Sequence, residues 1–92
     1  MFYIVSYDIP DDRKRAKVAK TMLDFGTRVQ YSVFECIISD DKLFEKMISK
    51  LSKMVAEEDS VRIYALCGKC EKVVRVLGGG SIVTKDEDVF IL

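Results

Sequence analysis

The chain contains no histidine, one proline and no excess of either charge, with fifteen Lys plus Arg balanced by fifteen Asp plus Glu over 92 residues. The missing histidine removes the commonest general acid/base and the usual zinc ligand of nucleases. It also excludes Ser-His and Cys-His hydrolases, so any hydrolytic chemistry must be carried by carboxylates and a metal. The balanced charge argues against a long, field-driven grip on nucleic acid and for a small, local basic patch. No apolar run approaches the ~18 to 20 residues that cross a bilayer, so no membrane role is expected. Cysteine is sparse: Cys36, Cys67 and Cys70, read with no secretory leader, point to a reducing cytoplasm.

What is present is a single packed domain. Apolar residues make up 49% of the chain and charged residues 33%, too apolar for a disordered segment. A domain of this size hides only about two thirds of its unfolded surface, so a second copy would add stability.

Residues 2–9 read as a first strand, apolar on both faces as a central strand would be, and stopped by Pro10. Asp11 or Asp12 is expected to cap a helix with the apolar stripe Ala16, Val18, Ala19, Met22 and Leu23, closed by Gly26 in a left-handed conformation. Lys14, Lys17, Thr21 and Asp24 fall on its wet face, whereas Arg15 points along the core side toward the tip of the first strand.

The β-like run 28–38 exceeds the usual strand length and is read as a hairpin turning near Tyr31-Ser32. Ser39, as a hydroxyl cap, with Asp40-Asp41 in the first turn starts a second helix, whose lysines form a solvated face opposite Leu43, Phe44, Met47, Ile48, Leu51, Met54 and Val55. Strands are expected at 61–66 and 73–77, and residues 78–92 form a glycine hinge and a C-terminal strand able to exchange with a partner. Residues 1–77 then form one α+β domain, a ferredoxin-like βαββαβ sandwich with an extra C-terminal strand. One sheet face is left to be covered by a second copy, giving a homodimer.

Asp8 ends the first strand just ahead of Arg13, Lys14, Arg15 and Lys17. An acid in that place can simply cap a turn. If Tyr3, Val5 and Tyr7 face the helices, Asp8 faces the open side, where a two-fold partner brings a second carboxylate close. Two such groups call for a hard cation, Mg²⁺ or Mn²⁺, which can polarise a phosphodiester and activate water. Asp11 and Asp12 are alternative ligands, with capping as their competing duty. Arg13, Arg15 and Lys17 supply a basic helix start. Arg28, Gln30, Ser32 and Phe34 offer phosphate contact and base stacking, with core or dimer packing the competing role for Phe34. Cys67-x-x-Cys70 lacks the second ligand pair of a structural zinc site.

Taken together, Tyr3-Ile4-Val5-Ser6-Tyr7-Asp8-Ile9, Asp11-Asp12-Arg13-Lys14-Arg15, Gly26-Thr27-Arg28-Val29-Gln30-Tyr31-Ser32-Val33-Phe34-Glu35 and Asp59-Ser60-Val61-Arg62-Ile63-Tyr64 resemble the CRISPR-associated protein two family, the small subunit of the spacer-acquisition machinery. The resemblance extends through Leu77. It implies a ferredoxin-like homodimer with Asp8 of each subunit as Mg²⁺ ligand, and metal-dependent endonuclease activity on single-stranded RNA or double-stranded DNA. By the same resemblance Tyr7, acting with Asp8, and Arg15, Arg28 and Phe34 occupy positions linked to activity. Lys17 stands where a second arginine would help, keeping the charge but losing the bidentate fork. The resemblance also implies CRISPR integrase dimers as partners. The alternative function is a non-catalytic DNA-binding scaffold bridging that integrase.

Overall fold

A computed structural model describes residues 1–67 together with Arg75, Leu77 and Gly78. The strand expected at 73–77, the C-terminal strand and its possible exchange, and Cys70 lie outside the described residues, apart from the single positions just named.

β1 (Phe2–Asp8) is followed by α1 (Asp12–Met22), the hairpin β2 (Thr27–Gln30) and β3 (Val33–Ile37), α2 (Asp41–Met54) and β4 (Ser60–Leu66). This is the expected βαββαβ order. The strands form an antiparallel sheet in the order β2-β3-β1-β4. β1 is central because its residues are apolar on both sides, and it pairs with β3 on one edge and β4 on the other.

Alternation along β1 sorts the side chains. Val5 and Tyr7 turn toward the helices and are buried, as are their β3 neighbours Phe34 and Cys36. Val18, Met22, Met47 and Leu51 close over them from the helices. Tyr3 stacks on Phe44 with ring centroids 4.6 Å apart, fixing α2 across the sheet. The other face carries Ile4, Ser6 and Asp8, flanked by Val33 and Glu35 on β3 and by Arg62 and Tyr64 on β4. Tyr64 is half exposed there.

Four local expectations are corrected. Asp40, not Ser39, caps α2, accepting from the Lys42 amide at 2.9 Å. Its carboxylate satisfies an orphan helix donor and adds a charge suited to the positive end of the helix. α1 ends at Met22 with Leu23 as its cap in right-handed conformation, so Gly26 is not a left-handed terminator. Glycine is needed there for space: a Cβ would lie 2.4 Å from Cys36 Sγ and 2.5 Å from the Glu35 carbonyl oxygen. Ala16 and Leu23 do not join the core but are exposed, because the buried stripe of α1 narrows to Val18, Ala19 and Met22. The fourth concerns Lys14, which is not simply solvated. Its Nζ meets Asp59 Oδ2 at 2.7 Å and ties α1 to the loop before β4.

Candidate nucleic-acid interface

Two surfaces meet at the C-terminal end of β1, and they lie on opposite faces of the sheet. On the open face, Asp8 pairs in register with Ser60, and Arg62 sits one step diagonally away opposite Ser6. The Asp8 carboxylate is exposed and has no hydrogen bond or ion pair among the described residues. A hard cation can use such a group: Mg²⁺ commonly takes one or two protein carboxylates and completes its shell with water and substrate phosphate. Among the described residues no cluster of three metal-binding side chains forms around Asp8. Glu35 shares the same face, and burial raises its pKa above the usual carboxylate value. It pairs with Ile4, four residues from Asp8, or about 13 Å along the strand, too far to share an ion with it.

On the helix face, Arg15, Arg28, Tyr7, Tyr31 and Phe34 gather around the hairpin turn. Arg15 Nη1 donates to the Ile9 carbonyl at 2.9 Å, as its place on α1 suggested, and Nη2 bridges to the Asp12 carboxylate. Arg28 donates from Nε and Nη2 to the Tyr31 carbonyl at 3.0 and 2.6 Å. Both side chains therefore brace the backbone. Since a guanidinium has five N–H donors, each also keeps donors for a phosphate.

The Tyr7 phenol lies 3.5 Å from the same Tyr31 carbonyl, at the outer limit of a hydrogen bond, and its amide donates to the Ser32 carbonyl at 3.1 Å. Burial raises the phenol's pKa, against the nearby Arg28 charge, which lowers it. Tyr7 is 4% exposed and turned to the side away from Asp8, the facing that strand alternation predicts.

Phe34 is fully buried, 6.3 Å from the Tyr7 ring and 6.0 Å beneath the Arg28 guanidinium. Its ring presents no face to a base and packs in the core. The expected grouping of Arg28 with Gln30 also fails. A bulge between them moves the register from Arg28↔Phe34 to Gln30↔Val33, which sends Gln30 to the opposite face.

Arg13 and Lys17 remain exposed on α1. With Lys14, Asp11 and Lys53 of α2 they line a groove of about 430 Å³. Lys53 is one of the lysines expected on the solvated face of α2, and only the packing of α2 against α1 makes it a neighbour. Tyr31 and Arg62 are the other residues that sequence reasoning left unassigned. Strand alternation carries a signal for Arg62, because its register with Ser6 places it on Asp8's face.

The fold is that of a small ferredoxin-like α+β domain, and comparison with known proteins identifies its family. The family model for CRISPR associated protein Cas2 matches residues 1–74, and the chain belongs to that family. It is 36% identical over the full length of both chains to the CRISPR-associated endoribonuclease Cas2 1 of Chloroflexus aurantiacus. It is 47% identical to the CRISPR-associated endoribonuclease Cas2 3 of Synechocystis sp., over 83% of each chain. Among solved structures, Streptococcus pyogenes Cas2 superposes with a TM-score of 0.72 at 33% identity, covering 85% of this chain and 100% of that one. A chain of a partial Cas6-RT-Cas1–Cas2 complex gives 0.76 at 25% identity, covering 91% and 97%.

Proposed function

We propose that this chain acts in CRISPR adaptation as a homodimeric, Mg²⁺-dependent endonuclease that hydrolyses phosphodiester bonds of RNA or DNA. Asp8 of each copy is the metal ligand, and Mn²⁺ is able to substitute. The observation that carries the reading is the Asp8 carboxylate, exposed and without a partner among the described residues, on the sheet face that neither helix covers. A two-fold packing of that face on a second copy covers Ile4, Val33 and Tyr64 and brings the two carboxylates together. An ion held there supplies charge stabilisation for the phosphodiester and a lowered pKa for attacking water.

This chain's own residues have separate duties. Asp8 would hold the cation, and Arg62, diagonal to it, contributes positive charge to a phosphate on the same face. Tyr7 and Arg28 fix the hairpin turn at the edge of the site. The names of the relatives, endoribonucleases among them, agree with this activity.

The groove lined by Arg13, Lys17 and Lys53 favours a second reading, because it is basic and lies on the helical side, remote from Asp8's face. It suits backbone contact with duplex DNA in a scaffold assembled with an integrase, and the similarity to a chain from a Cas1–Cas2 complex supports such a partner.

A cleavage assay on Asp8→Asn with Mg²⁺ or Mn²⁺, run beside sedimentation of the same protein, separates the two readings. The endonuclease reading requires loss of metal-dependent cutting from an intact dimer. Undiminished cutting by pure Asp8→Asn overturns it. Spacer acquisition that survives Asp8→Asn but fails in Arg13→Glu/Lys17→Glu favours the scaffold.

A further inference from the structure

Tyr31 stands at the tip of the β2–β3 hairpin with 72% of its surface exposed, the most open aromatic side chain among the described residues. It forms one wall of a groove of about 560 Å³ whose other wall is α1. That flank of α1 presents Ala16, Lys20 and Leu23, spaced four and three residues apart on one side of the helix. Leu23 is 61% exposed, an unusual cost for a leucine beside a helix whose buried stripe ends one residue earlier. Arg15 and Arg28 stand at the tyrosine side, with guanidinium carbons 5.9 and 5.1 Å from the Tyr31 ring centroid. The groove thus has an aromatic ring, an exposed leucine and a small-residue floor between three cations. Its single acid, Asp12, is already paired with Arg15.

Apolar walls alone would suit many ligands. Flanked by Arg15, Lys20 and Arg28, they suit a flat apolar ring carried on an anionic chain. Single-stranded nucleic acid has that chemistry: an unpaired base stacks on the aromatic ring while the adjoining phosphates meet the cations. A base held within a duplex cannot do so, because its faces are already stacked.

The geometry points to Tyr31 as the stacking platform for an unpaired base of a single-stranded nucleic acid, seated between the hairpin tip and α1. This rests on the reading of the chain as a nucleic-acid-processing protein and gives that reading a preference for single strands. Tyr7, whose amide and phenol both reach the hairpin turn, sits next to Asp8 in β1. The hairpin tip and Asp8 therefore lie at the same end of the sheet, on opposite faces. Tyr31 is in this sense a specificity-determining residue: it selects and places the strand, and the chemistry lies elsewhere.

The structure also supplies a clean test, because the contacts that brace the turn go to the Tyr31 backbone carbonyl and survive truncation of the side chain. Binding is measured in EDTA, which stops cutting and makes the result independent of Asp8 and of any metal. The probes are a short RNA and a DNA of the same sequence, each with a 2-aminopurine near its centre, and the DNA annealed to its complement. Wild type and Tyr31→Phe are expected to quench the 2-aminopurine in the single strands. Tyr31→Ala should leave it bright and bind single strands about tenfold more weakly, with duplex affinity within about twofold of wild type. Quenching of RNA but not DNA, or the reverse, identifies the sugar that the groove prefers and supports the platform.

Leu23→Glu changes an exposed side chain on the opposite wall and should weaken single-strand binding without lowering Tm. It keeps the proposal testable should Tyr31→Ala fail to fold. Unchanged single-strand affinity in Tyr31→Ala, equal losses for single strand and duplex, or no quenching by wild type would overturn the assignment. None of these outcomes alters the result of the Asp8→Asn cleavage assay.

Discussion

Arg28 and Tyr31 are joined through both backbone and ring. The guanidinium donates twice to the Tyr31 carbonyl, at 3.0 and 2.6 Å, and its carbon lies 5.1 Å from the centre of the Tyr31 ring. A two-residue turn with no glycine has little intrinsic preference for its shape, and here one side chain from the bulged strand holds it.

Arg28→Lys tests that brace. An ammonium is a point donor and cannot reproduce the paired contact of the planar fork, although the charge is kept. We expect a loss of about 1 kcal/mol, read as a fall in Tm of about 5 °C by circular dichroism. An unchanged Tm would mean that the paired contact contributes nothing to the stability of the turn.

Gly26→Ala tests a close approach of chains. The new methyl would fall 2.4 Å from Cys36 Sγ and 2.5 Å from the Glu35 carbonyl oxygen, and backbone on that side cannot swing away as a flexible side chain can. Urea unfolding should show a loss of about 1–3 kcal/mol. The accompanying Cys36→Ala/Gly26→Ala double variant should recover only part of it, since the Glu35 carbonyl contact remains.

The order of elements was legible because the signals were local and strong: an apolar strand stopped by Pro10, two amphipathic helices, and a turn at Tyr31-Ser32. Arg15's direction was legible too, since helical spacing carries it toward Ile9. What was not legible depends on register. One unpaired residue in β2 separates Arg28 from Gln30, and no composition rule announces a bulge there. Alternation likewise sends Asp8 away from Arg15, although the two are close in sequence and both approach the end of β1. Ala16 and Leu23 looked like core residues because spacing shows which side of a helix is apolar, not how much of that side the sheet covers.

Phe34 separates packing from recognition. Its ring is fully enclosed, so Phe34→Ala should cost about 3–5 kcal/mol and leave little folded protein. Phe34→Leu keeps most of the volume and should cost less, with single-strand affinity within about twofold of wild type at a temperature where it is folded. Selective loss of binding by folded Phe34→Leu would restore this ring to the interface.

The half-buried Lys14–Asp59 pair predicts a defined response to pH. Asp59's side chain is 1% exposed, and its Oδ2 accepts from Lys14 Nζ at 2.7 Å and from the Ala56 amide at 2.8 Å. The Lys14 hydrogen bond, then that of Ala56, pulls the carboxyl's pKa below its ordinary value. The same bond to Asp59 raises the pKa of Lys14 above the usual lysine value. For an acid whose folded pKa is depressed, the stabilisation is complete above its unfolded value of about 4 and disappears as pH falls through the folded value. For a base whose folded pKa is raised, it is complete below about 10.4 and disappears as pH rises past the folded value. The pair should therefore stabilise the fold across roughly pH 5 to 10 and fade at both ends. Asp59→Asn keeps an acceptor for the Ala56 amide but removes the charge. The difference in Tm between wild type and this variant should be flat from about pH 5 to 9 and shrink below about pH 4. A gap as large at pH 3 as at pH 7 would show that the variant loses packing, and that the charge on Asp59 does not hold α1 to the loop before β4.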